Sequence, residues 1–174
     1  AFALGYGVTV LGYDRQTFLA TQLVAILFMA MGIGLAGWAA DRFDPARVLV
    51  FGCVLVVAAG LSLAPLLGSG RLGGAFGFLA LALFAMGFVY GPLGAWLTGL
   101  YPARVRYTAT SLAFNLGGVI GGGLTPALAQ LLADRGGLGH VGTYLIGAAL
   151  LSLVGILATG RTRLRQDREW EMPR

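Results

Sequence analysis

Charged residues divide this chain into long apolar stretches. Between consecutive charges lie Gln16 to Ala40, Val48 to Gly70, Leu72 to Ala103, Tyr107 to Ala133 and Gly136 to Gly160, none holding Asp, Glu, Lys or Arg. Each exceeds the roughly 18 residues that nominate a bilayer-crossing helix. The pattern predicts five complete helices over about 17–37, 47–67, 74–98, 108–132 and 141–160. Thirteen uncharged residues precede Asp14, too short a run to cross, so residues 1–12 are expected to be the remnant of a truncated first helix and the chain a fragment. Residues 161–174 are polar and are expected to form a tail. The predicted fold class is an all-α membrane protein, a six-helix bundle whose first helix is truncated.

Composition agrees, with 57% hydrophobic and 11% charged residues and a mean hydropathy of +0.82, far from the roughly 25% charge of a soluble domain. The net charge of +5 comes from twelve arginines against seven acids. These arginines cluster at segment ends, as membrane topology requires, so no nucleic acid is expected as a partner; membrane lipid is. If connectors alternate sides, Arg42, Arg47, Arg104, Arg106, Arg161, Arg163, Arg165, Arg168 and Arg174 share one side, and Arg15, Arg71 and Arg135 the other. The positive-inside rule makes the first side cytoplasmic, the C-terminal tail included. Trp38, Trp96, Tyr101 and Tyr107 then fall near the inner interface and Tyr13 near the outer one.

Small-xxx-small spacings occur at Gly73/Gly77, Gly87/Gly91, Gly117/Gly121 and Gly118/Gly122, where backbones are able to approach closely in lipid. The run Gly117 to Gly123 lacks the following Lys of a phosphate-cradling loop. Pro92 and Pro126 stand inside spanning stretches, remove hydrogen bonds to the carbonyls of Phe88 and Gly122, and predict kinks in two helices that are candidates for lining a pathway. Cys53, alone in an apolar run, reads as a core residue.

The stretch Tyr90 to Pro126, YGPLGAWLTGLYPARVRYTATSLAFNLGGVIGGGLTP, resembles the C-terminal half of major facilitator superfamily transporters, and within them the metabolite:proton symporters. GWAADRFDPAR, Gly37 to Arg47, resembles the superfamily's cytoplasmic loop motif; Asp44, Pro45 and Ala46 depart from it, and Gly99 replaces a glutamate that relatives carry before LYP. The resemblance implies half of a secondary active transporter in a bacterial cytoplasmic (inner) membrane. It would work by alternating access on a small organic acid or compatible solute, with protons and with a missing N-terminal six-helix half as partners. No enzyme activity, cofactor or metal is implied. The alternatives are a scaffold or sensor that keeps the transporter fold, and a pore, which the lack of a charged ring disfavours.

Asp41 is placed to face the positive N-terminal end of the helix starting near Thr108, with Arg42, Arg104 and Arg106 as counter-charges. The four form either a cytoplasmic gate latch or a solvated topogenic cluster. Every acid lies in a connector or the tail, so a proton-carrying carboxylate is expected in the partnering half. The candidates for lining a substrate cavity are Tyr6, Gln22, Tyr90 and Asn115, each able alternatively to bridge helices. Thr110, Ser111 and Thr125 are expected to bond to helix backbone, and His140 to begin the last helix at the outer surface.

Overall fold

A computed structural model describes residues 2–170, with side chains through residue 159. Helices α1 (Phe2–Thr9), α2 (Arg15–Arg42), α3 (Pro45–Ser62), α4 (Leu72–Thr98), α5 (Arg106–Gly118) and α6 (Leu124–Trp170) follow one another, and there is no strand among the described residues. A chain surrounded by lipid has no water for its backbone, so apolar runs of this length must close their hydrogen bonds internally as helix.

Side chains outside the apolar runs set where the helices begin. Asp14 caps α2, its carboxylate accepting from the Thr17 amide at 2.8 Å and the Thr17 hydroxyl at 3.0 Å. The bond from the Thr17 amide leads in holding that carboxyl below its usual range. Asp44 caps α3 by accepting from the Ala46 amide at 3.2 Å, with Pro45 in the first turn, where its missing N–H costs nothing.

Two π-helical turns interrupt the regular ladder. One, Leu63–Leu67, contains Pro65, which sequence reading did not single out as a breaker. The other, Val119–Gly123, joins α5 to α6 and stands immediately before the turn that holds Pro126. Both widenings occur where a proline withholds an amide donor. α4, by contrast, continues through Pro92, which is fully buried.

Helix α6 would measure about 70 Å if straight, more than twice a hydrocarbon core. It is broken at Gly136 (φ −152°) and Gly137 (φ 71°), the second a left-handed conformation open mainly to glycine. There the chain doubles back: Thr125 and Tyr144, one on each arm, are hydrogen-bonded at 3.1 Å. Along a continuous helix their 19-residue separation would place them roughly 28 Å apart. Among the described residues, four helical stretches are long and apolar enough to cross a membrane, the last being this folded stretch, Arg106–Thr159. The helical backbone continues to Trp170, and residues 171–174 of the expected tail lie outside the described residues.

Large apolar side chains face outward, Leu23 at 67% and Leu151 at 75% exposure among them, so the surface suits lipid or a protein partner rather than water. Inside, Phe18, Leu63, Leu67, Phe78, Ala129 and Val141 form one cluster, and Leu49, Cys53 and Ile156 a second. Glycine decides how near the helices come. A Cβ on Gly32 would stand 2.5 Å from the Phe84 carbonyl oxygen, one on Gly91 2.9 Å from that of Ile33, and one on Gly87 would collide with that of Met29. These contacts lock α2 to α4. Gly60 and Gly142 join α3 to the returning arm of α6 in the same way, a Cβ on Gly60 lying 2.9 Å from the Gly142 carbonyl oxygen.

Of the four small-xxx-small pairs, Gly87/Gly91 is the one at such a crossing. Gly73, Gly117, Gly118, Gly121 and Gly122 have open space beside them, and Gly77 only the Leu66 Cδ1 at 4.0 Å. Gly87→Val is therefore expected to lower unfolding free energy in detergent micelles by about 1–3 kcal/mol or more, the range for overpacking. Gly77→Val should change it by no more than about 0.5 kcal/mol, as at unconstrained positions. Equal losses at both sites would contradict the assignment of this crossing.

Candidate functional site: a neutral cavity among the helices

A cavity of about 500 Å³ opens among the helices, within the 300–1,000 Å³ typical of small-molecule sites. α2 contributes Gln22, α4 Phe78, Met86 and Tyr90, and the two arms of α6 Thr125 with Pro126 and Tyr144. Its wall is overwhelmingly apolar, and none of its lining residues is charged. The polar side chains are one amide and three hydroxyls.

Gln22 enters this wall two turns after the Asp14 cap starts α2. Its Oε1 is buried without a hydrogen-bond partner, an arrangement that costs about 1–3 kcal/mol when left unmet. Tyr90 lies beside the Gly91 crossing and is 47% exposed. Thr125 does not bond to its helix backbone as expected but pairs with Tyr144. No sequence signal marked that pair, because it exists only through the reversal at Gly136 and Gly137.

The four cavity candidates separate. Gln22 and Tyr90 share this cavity. Tyr6 packs against Phe2, ring centroids 5.6 Å apart, on the margin of the core cluster and is not among the lining residues. Asn115 faces a second cavity of about 550 Å³ beside Arg106 and Tyr107, its Nδ2 donating to the Ser111 carbonyl at 2.8 Å. Thr110 lines that second cavity too, its hydroxyl buried and unpartnered rather than bonded to backbone.

Asp41, Arg42, Arg104 and Arg106 are all exposed. The Arg42 guanidinium lies 4.8 Å from the Trp38 ring centroid, a cation–π contact, and Arg106 Nε donates to the Tyr101 carbonyl at 3.2 Å. Among the described residues no hydrogen bond or ring contact joins Asp41 to these arginines. His140 sits in the reversal, its Nδ1 2.8 Å from the Gly136 carbonyl oxygen. No three His, Cys, Asp or Glu side chains converge to hold a metal ion among the described residues.

Long apolar helices with lipid-suited surfaces define an integral membrane protein. The family model described as Major Facilitator Superfamily matches residues 1–126, and the chain belongs to that superfamily. It is 37% identical over 154 residues to the inner membrane metabolite transport protein YhjE of Escherichia coli, covering 88% of this chain and 35% of that protein. It is 33% identical to a putative metabolite transport protein of Haemophilus influenzae, with 88% and 34% covered. To the shikimate transporter of Escherichia coli it is 28% identical, with 90% and 36% covered. The chain thus spans about a third of the length of these relatives, each named for transport. No solved structure matches it significantly.

If the Thr125–Tyr144 bond holds the arms of α6 together, Thr125→Val and Tyr144→Phe should each destabilise the folded chain by about 0.6 kcal/mol, the average for hydrogen bonds between membrane helices. The double variant should cost less than the sum, as read from a double-mutant cycle in unfolding measurements. Strictly additive costs would show that the two hydroxyls are not coupled.

Proposed function

We propose that this chain forms the C-terminal six-helix half of a secondary active transporter that moves a small organic acid or compatible solute together with protons by alternating access. The observation that carries this reading is the cavity shared by Gln22 and Tyr90, whose size and sparse polar lining suit a small metabolite. Membership of the superfamily and similarity to metabolite transport proteins support it.

The division of labour follows from electrostatics. The cavity lining carries no ionisable carboxylate, and a proton carrier must be one that changes charge within reach of the substrate. On this reading the coupling group resides in the partnering half. Asp41, Arg42, Arg104 and Arg106 act at the cytoplasmic gate. Asp41 meets the N-terminal end of α5 when the inner side closes and separates from it when that side opens. Pro92 and Pro126 kink the helices that line the path. The helices cross a bacterial cytoplasmic membrane in alternating directions, with the arginine-rich connectors and the C-terminus inside.

Uptake into proteoliposomes holding the longer polypeptide tests this. Accumulation of an organic acid or zwitterionic osmolyte is expected when the outside is made acidic, and a protonophore should abolish it. Absence of uptake for all such solutes, or uptake indifferent to the gradient, would refute proton-coupled symport.

A further inference from the structure

We infer that Gln22 is a specificity residue that selects solutes presenting an uncharged hydroxyl donor, so that this half of the site grips the hydroxylated face of a cyclic hydroxy acid. This rests on the transport reading above. The inference starts from what the cavity lacks. No guanidinium, ammonium or imidazole lines it, so the charged end of an organic acid finds no counter-charge at this wall and would lose hydration there.

What the cavity offers is specific. The buried Oε1 of Gln22 is an acceptor only, and its complement is an O–H or N–H donor, never a carboxylate oxygen. Thr125 and Tyr144 share one hydrogen between oxygens 3.1 Å apart, so the other hydroxyl hydrogen of the pair is free to serve a ligand. The Tyr90 phenol adds another donor and acceptor. Around them stand the flat ring of Phe78 and the adaptable thioether of Met86, surfaces suited to a ring carbon face. A solute with a ring, an edge of hydroxyls and a carboxylate directed away satisfies all of these together.

A quaternary ammonium osmolyte, having no donor, leaves the Gln22 carbonyl unmet. A site built to hydrogen-bond a ligand hydroxyl discriminates against the analogue lacking it, because its own polar group is then stranded.

The test compares uptake of shikimate, a trihydroxylated cyclohexene carboxylate, with cyclohex-1-ene-1-carboxylate, which has the same ring and carboxylate without hydroxyls. Both are measured in proteoliposomes of the longer polypeptide. The wild type should carry shikimate with a KM about tenfold or more below that of the deoxy acid, as expected for at least one lost hydrogen bond. Gln22→Leu should bring the two KM values together by weakening shikimate while sparing the deoxy acid, and Gln22→Asn should restore part of the preference. Protein in the membrane is quantified for each variant, and Gln22→Met replaces Gln22→Leu if the latter fails to accumulate.

An unchanged preference in Gln22→Leu would overturn the role of Gln22 while leaving transport intact. So would a wild type that carries the deoxy acid equally well, or glycine betaine in place of both acids. A wild type that moves none of the three under a proton gradient would overturn this inference, whereas the transport reading falls only when no organic acid or zwitterionic osmolyte is carried.

Discussion

The backbone of α2 lies against the backbone of α4 at Gly32, Gly87 and Gly91, and the remaining architecture depends on that contact. Lipid is as apolar as leucine, so no hydrophobic drive pulls these helices together; close packing must do so. With no Cβ at the crossing, dispersion contacts and carbonyl approaches form that a side chain would prevent. Gln22 stands on α2 about three turns before Gly32, and Tyr90 on α4 adjoins Gly91. The same crossing that joins the two helices therefore brings their polar residues to one cavity. The α3–α6 crossing at Gly60 and Gly142 carries the returning arm of α6, and with it Tyr144, to the same cavity.

The charge distribution completes the physical logic. Every charged side chain described lies at a helix end or in a connector, and the cavity is left neutral. Neutrality lets the wall discriminate by hydrogen bonding and shape, since one unpaired amide in an apolar surrounding carries more information than many solvated groups.

Much of this was legible in the sequence, for identifiable reasons. Runs without charge announce membrane helices, because each buried charge would be prohibitive, so the all-helical class followed directly. The loop residues Asp14 and Asp44 then place helix starts in ways that counting charges does not reveal. Glycine spacing was a weaker guide. It identified Gly87 and Gly91 but gave equal standing to Gly117, Gly118, Gly121 and Gly122, which touch nothing, because spacing says that a helix is able to come close and not which partner does. Of the residues expected to line a cavity, Gln22 and Tyr90 line one together, whereas Asn115 turns to its own helix at Ser111. Thr125 and Tyr144 were hidden, since their pairing depends on a reversal set by two backbone conformations at Gly136 and Gly137.

The α2–α4 crossing admits a direct chemical measurement. A Cβ on Gly91 would lie 3.0 Å from that of Ala36, so the helices need part by only about 0.5 Å to reach the roughly 3.5–4.5 Å between the Cβ atoms of a disulfide. With the single native thiol removed as Cys53→Ala, the pair Ala36→Cys and Gly91→Cys should cross-link within one chain under mild oxidation in membranes. The pair Gly34→Cys and Gly94→Cys, at positions with nothing within 4 Å, should not. Cross-linking of the second pair as readily as the first, or of neither, would contradict the packing on which the cavity and its proposed role rest.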